Sequence, residues 1–251
     1  MSWASRRKAV YTSGAGGFLL LAGLLVFFLF VYQSPSCSDG KQNGGELGID
    51  CGGGCQKVCA AEAEAPVVLW ARSFEVVPGV YNVVAYVENP NVGAGVAAVP
   101  YRFKIFEEGN ILITERMGAT YLLPHRTSII VEPSLNVGER RPTRTQFEFL
   151  AAPQWKKVAD RDVPALFVQE STLLNAETAP KITATVINNS NTDLKNVEAV
   201  AVVFNAEDNA IAVSRTLIEL PRAERKTIVF TWPKPFPEAV SRIDVQARAP
   251  F

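Results

Sequence analysis

All four cysteines of this 251-residue chain, Cys37, Cys51, Cys55 and Cys59, fall within CSDGKQNGGELGIDCGGGCQKVC. Three chemistries compete for them. The spacing C-x13-C-x3-C-x3-C contains no redox C-x-x-C. The trio Cys51, Cys55 and Cys59 fits a zinc site only loosely. Two disulfides are the third possibility, favoured where the compartment oxidises thiols, and the spacing selects none of the three pairings. Between Cys37 and Cys51, Asp39, Asn43, Glu46 and Asp50 stand among glycines 40, 44, 45 and 48. Short oxygen-bearing side chains on a glycine-bent backbone suit a calcium ion. They equally suit tight turns in a loop too small for a core. The turn reading is preferred, with calcium at these four residues the weaker candidate and no other cofactor expected.

The rest of the chain offers little reactive chemistry. The sole histidine, His125, follows Leu-Pro and precedes a strand-like run, and neither G-x-S-x-G nor H-E-x-x-H accompanies it. It reads as a solvated loop residue. No phosphate-binding glycine pattern occurs. The pairs Glu107-Glu108 and Glu207-Asp208 flank turns rather than face each other. Trp70, Trp155 and Trp232 could form a carbohydrate platform, but each sits by a strand or a proline break, where packing is the commoner use. Arg140, Arg141 and Arg144 make a small basic run of the kind usually found at a solvated hairpin end. No catalytic residue is expected, and the chain reads as a non-enzyme.

The compartment is set upstream. Arg6, Arg7 and Lys8 form a basic cluster, and no further charge appears until Asp39. Within that gap, residues 14–32 read GAGGFLLLAGLLVFFLFVY, which as a helix spans roughly 28 Å, close to the thickness of a bilayer core. A cleaved signal peptide would carry a shorter apolar run and a small-residue cleavage motif, whereas this one ends in bulky aromatics. A lipoprotein would lead into its cysteine with small apolar residues, and Ser34-Pro35-Ser36 does not. An uncleaved single-pass anchor is therefore expected, with residues 1–13 cytoplasmic and everything after Tyr32 outside the cell membrane. There thiols oxidise, and the cysteines become a staple. Outside the basic tail, 22 basic residues face 25 acidic ones, a balance that does not favour nucleic acid.

Beyond a disulfide-stapled stalk and linker at 33–65, the pattern turns to period two. Runs such as YNVVAYVE, VPYRFKIFEE and TSIIVEP are separated by Pro-Gly, Asn-Pro-Asn and Glu-Gly-Asn breaks. A breaker region at 151–163 is followed by KITATVIN, VEAVAVVFN and KTIVFTW. The expected fold is mainly β: two tandem β-sandwiches at 66–150 and 164–251, joined by a linker, behind one transmembrane helix. The halves also align with each other. Val83–Asn91 matches Thr183–Asn191, Phe106 matches Phe204, Leu123-Pro124 matches Leu220-Pro221, and Arg126–Val131 matches Arg225–Phe230. A duplicated sandwich is expected, with Phe106 and Phe204 pointing into two separate cores that unfold independently.

These residues carry family resemblances. Phe103-Lys104-Ile105-Phe106-Glu107 resembles the Phe-x-Leu-Tyr-Asp motif (FxLYD) of a family of bacterial surface-associated domains. Val87-Glu88-Asn89-Pro90-Asn91 resembles the Asn-Pro-Asn turn of late-embryogenesis-abundant type-2 domains. Both imply an immunoglobulin- or fibronectin-III-like sandwich and neither brings a catalytic residue. The match covers most of 66–150 and is weaker in the second half, where Ala201, Val203, Phe204 and Asn205 occupy the motif. The cysteine stretch is similar to a Cys-Asp-Gly…Asp-Cys-Gly-Gly module that serves secreted and surface proteins as a disulfide-bonded spacer. Together these imply a structural or adhesive surface protein that presents its sandwiches to a protein or cell-envelope partner. The alternative is a binding module for a glycan or a calcium-dependent ligand.

Overall fold

The computed structural model describes residues 3–32 and 34–251. One helix, α1 (Trp3–Val26), runs on into a wider π turn at Phe27–Val31. It begins ahead of the expected span, because Arg6, Arg7 and Lys8 are good helix formers and nothing between them and Gly14 breaks the turn. No residue of α1 is buried in the protein. Trp3–Phe30 is long and apolar enough to cross a membrane, a property it shares with signal sequences.

The chain forms two compact units, Met1–Cys55 and Gln56–Phe251. The second holds every named strand: β1 (Val67–Val77), β2 (Val80–Asn89), β3 (Ala94–Glu107), β4 (Ile111–Leu122), β5 (Arg126–Asn136), β6 (Arg144–Phe149) and β7 (Trp155–Lys157), then β8 (Leu166–Leu174), β9 (Lys181–Asn188), β10 (Leu194–Phe204), β11 (Ala210–Leu220), β12 (Arg225–Thr231) and β13 (Arg242–Arg248). Four antiparallel sheets result, in the orders β1-β2-β5, β4-β3-β6, β12-β9-β8 and β11-β10-β13, with β7 added to the start of β3. The strand order repeats: β1 to β6 recur as β8 to β13 with the same neighbours.

Alternation builds the cores. Val83, Ala85 and Val87 of β2 and Ile130 of β5 face Val99, Tyr101, Phe103 and Ile105 of β3 across the first sandwich. Ile182, Ala184 and Val186 of β9 and Ile228 and Phe230 of β12 face Val197, Ala199, Ala201 and Val203 of β10 across the second. The turn between β1 and β2 is Pro78-Gly79, where Gly79 takes φ 75° and the carbonyl of Gly138 leaves no room for a Cβ on it.

Three expectations are corrected. The two sandwiches do not have separate cores only. A third buried cluster joins them, made by Val84, Tyr86, Ile129 and Val131 of the first and Val200, Val202, Phe204, Ala210 and Val213 of the second. The β1-β2-β5 sheet therefore lies against the β11-β10-β13 sheet, and β2 and β10 are buried on both faces. Second, neither matched phenylalanine enters its own sandwich. Tyr101, Phe103 and Ile105 take the inward positions, so Phe106, past a register shift, lies half-buried outside. Phe204 fills the seam between the sandwiches. Third, the segment 151–163 is more than a spacer, since its Trp155 is buried in the first core and β7 pairs with Ala94–Val96. The preceding segment is tied in as well: Val58 N–H donates to Trp155 O, and Lys157 N–H donates to Gln56 O.

The duplication is real in topology but shifted in register. Asn89 and Asn188 are the equivalent residues, not Asn89 and Asn189. Each is fully buried and closes the same turn. Asn89 Nδ2 donates to the carbonyls of Ala94 and Leu123, while Asn188 Nδ2 donates to those of Thr192, Leu220 and Pro221. The Oδ1 of each accepts the N–H two residues on, from Asn91 and Ser190.

Candidate functional site: the stapled loop and the seam

Cys37 and Cys55 form a disulfide across 18 residues. Cys51 and Cys59 are also disulfide-bonded, and no cysteine is free. The acidic residues of the loop are turned onto its backbone. Asp39 accepts from the N–H groups of Ser36 and Lys41 and from Asn43 Nδ2, at 3.2, 2.9 and 2.9 Å. Asp50 accepts from Gly40 N–H at 3.0 and 3.1 Å, and Glu46 Oε2 from the N–H groups of Asn43 and Asp50 at 3.3 Å. These bonds, the Asn43 amide first among them, hold the Asp39 carboxyl below its ordinary value. The structure thus gathers Asp39, Asn43, Glu46 and Asp50 in one loop, with the three carboxylates oriented as caps for turns. Glu46 Oε1 lies 3.2 Å from Cys55 Sγ, a van der Waals approach, since a disulfide sulfur has no proton to donate. Glu46 sits with the Cys37 and Cys55 sulfurs in one cluster, but sulfurs joined in a disulfide are not thiolate ligands.

The seam carries the only strongly buried charges described in the strand unit. Glu198 on β10 receives Arg248 of β13 at 2.6 Å and Arg215 of β11 at 3.3 Å. Both arginines then reach into the first sandwich. Arg248 Nη1 donates to Thr120 Oγ1 and Tyr121 O, with its guanidinium 4.8 Å above the Tyr121 ring, and Arg215 Nη1 donates to Val131 O at 2.9 Å. On the apolar side, Trp70 stacks on Tyr86 at 4.3 Å, and Tyr86 meets Phe204 edge-on. The Tyr86 hydroxyl donates to Asp244, and burial together with that carboxylate pushes the phenol pKa up. A cleft of about 190 Å³ remains between Tyr101, Tyr121, Glu198 and Arg215. Tyr101 there donates to Glu132 at 2.7 Å, next to Gly118, where any Cβ would strike the Tyr101 hydroxyl.

The other sequence candidates fall into structural places. His125 is an exposed turn residue at φ 46° whose N–H donates to Asn91 O. Trp155 and Trp232 belong to the two cores and Trp70 to the seam. Glu107 lies 4.0 Å from Arg140, and Asp208 pairs with Arg242 at 2.6 Å. Arg144 stacks on Phe106 at 4.1 Å, as Arg242 stacks on Phe204 at 3.8 Å. The seam itself was missed. Its signal was present in the uninterrupted apolar runs VVAYV and AVAVVF, which a strand with one solvated face does not need. No protein-family model matches the chain, and no curated protein matches it significantly.

Proposed function

We propose that this is a single-pass membrane protein whose disulfide loop and double sandwich stand outside the cell membrane, with α1 as an uncleaved anchor and its Arg-Arg-Lys end cytoplasmic. Its role is structural or adhesive: it presents a rigid pair of immunoglobulin-like sandwiches to a protein or cell-envelope partner. One observation carries the topology. A helix of membrane length is followed within a few residues by a loop whose cysteines are all in disulfides, and disulfides persist where the compartment is oxidising. The rigid pairing supports the presenting role, because a buried seam fixes the geometry of the loops and edges that a partner would meet. Protease added to intact cells should remove residues beyond the helix and leave a short membrane-embedded fragment. Complete protection with the cell boundary intact would reject the topology. Cross-linking on intact cells, followed by mapping of the partner peptides joined to 56–251, tests the presenting role. Recovery of intramolecular links alone would reject it.

A further inference from the structure

The disulfide loop is built inside out. Asp39, Glu46 and Asp50 are half-buried and bonded to backbone N–H groups, whereas Leu47 and Ile49 are 62% and 61% exposed. Exposed aliphatic side chains are common on this protein, so the pair gains meaning from its place, on a stapled loop close to the end of α1. The pair is also held rigidly. The N–H groups of Leu47 and Gly48 both donate to Cys51 O, Cys51 N–H donates back to Gly48 O, and the Cys37–Cys55 disulfide closes the loop behind them. Gly53 takes φ 53° against the carbonyl of Gly45, a crossing that any side chain would block. The tip therefore needs little ordering before it can bind.

Where the tip can go is limited by the chain. Six residues lie between Phe30, the end of the apolar helix, and Cys37, a tether of seven Cα steps that reaches at most about 25 Å when fully extended. We infer that Leu47 and Ile49 insert into the interfacial layer of the same bilayer that α1 spans, so that the loop is a second, shallow membrane contact. The chemistry fits lipid. Two aliphatic side chains with no aromatic ring or polar group between them ask only for an apolar medium, and the carboxylates beside them are engaged by the backbone. Exposed Lys41, on the same loop, can meet lipid phosphate. The inference rests on α1 being a membrane anchor.

The test uses the full chain in phosphatidylcholine nanodiscs, with and without bromine on the lipid acyl chains. Tryptophan is introduced by Leu47→Trp, or by Ile49→Trp should the first variant show free thiols. The added emission is expected to be blue-shifted and at least two-fold quenched by the brominated lipid. A solvent-like, unquenched signal in a chain that resists alkaline extraction would overturn the insertion while leaving the anchor intact. A blue-shifted signal untouched by bromine would also overturn it, since the tip would then be covered by protein. Loss of the chain from the membrane under alkaline extraction would remove the anchor itself, and the insertion with it.

Discussion

The two sandwiches share one strand plan but not one surface. Register makes Val84, Tyr86, Ile129 and Val131 of the first copy the equivalents of Thr183, Thr185, Thr227 and Val229 of the second. The first set is buried in the seam, while in the second Val229 is 44% exposed and Thr227 is solvent-facing. The other sheet shows the reverse. Val200, Val202 and Val213 of the second copy lie in the seam, and their counterparts in the first are Arg102, Lys104 and Glu115. Arg102 and Lys104 are spent on Glu148, at 2.6 and 2.8 Å. Each copy thus offers one apolar and one polar outer face, and the apolar faces belong to non-equivalent sheets. Such head-to-tail docking could in principle continue indefinitely. The remaining outer faces, with Arg102, Lys104 and Glu115 in the first copy and Thr183, Thr185 and Thr227 in the second, do not repeat the apolar surface of the seam.

The sharpest way to break this comparison is to truncate the same side chain in both copies. Phe106 and Phe204 occupy equivalent ends of β3 and β10, each under an arginine from the neighbouring strand. Phe204→Ala is expected to cost roughly 3–5 kcal/mol, because it opens the seam. Phe106→Ala should cost about 1 kcal/mol, mostly the lost contact with Arg144. Urea unfolding of the full chain in nanodiscs, followed by tryptophan emission, reads both. Equal losses would mean that the seam contributes little, and the sandwiches would then unfold separately.

The charged cluster tests the seam from its polar side. Arg248→Met removes one partner from Glu198, which is about 9% exposed, and leaves its carboxylate leaning on Arg215 alone. Removing one member of a buried pair costs roughly 3 kcal/mol or more. The double change Arg248→Met with Glu198→Leu should recover most of that loss. Failure to recover would locate the cost in the contacts of Arg248 with Thr120 and Tyr121, or in Arg215, which the double change leaves without its carboxylate.

How much of this could be read in the sequence follows from what each signal encodes. The mainly β fold and the helix were legible because period two and an uncharged apolar run are local patterns. The duplication was legible from punctuation, yet its register was not. Aligning Asn-Pro-Asn with Asn-Ser-Asn favoured the identity of Asn91 and Asn191, whereas the fold keeps Asn89 and Asn188, whose amides close the turn. A strand shifted by one residue exchanges its faces, so this small slip hid the fact that Val84 and Thr183 face outward. The seam depends on which outer faces are apolar, and that appears only once the register is right. In the loop, the type and spacing of Asp39, Asn43, Glu46 and Asp50 marked a compact turn-rich site, but side-chain direction, which turns the carboxylates inward and leaves Leu47 out, has no periodic signature.

A matched pair sharpens the register assignment. Asn89→Ala and Asn188→Ala each strand buried backbone carbonyls, and each should cost about 2 kcal/mol. Asn189→Ala, at an exposed neighbour, should cost under about 0.5 kcal/mol. Comparable losses for Asn188 and Asn189 would return the register to the one that matching motifs suggest.

The smallest effect separates the two outer faces by pH. Glu148 of the first copy has Gln246 as its counterpart in the second. Lys104, and then Arg102, hold the Glu148 carboxyl below its ordinary value near 4.5. A carboxyl depressed in the folded state stabilises the fold fully above its unfolded value, and the contribution disappears as pH falls through the lower folded value. Acid should therefore loosen β3 and β6 around Glu148, a loss with no counterpart around Gln246 of β13, where an amide takes the place of the acid. The effect is modest, because these side chains face solvent and salt screens them. Amide protection factors, corrected for the intrinsic exchange rate at each pH from 6 down to about 3, should fall around Glu148 in β6 more than around Gln246 in β13, and Glu148→Gln should remove the difference. An unchanged difference in Glu148→Gln would place the acid sensitivity elsewhere, and the charged face of the first copy would then owe its shape to packing of the arginine and lysine stems.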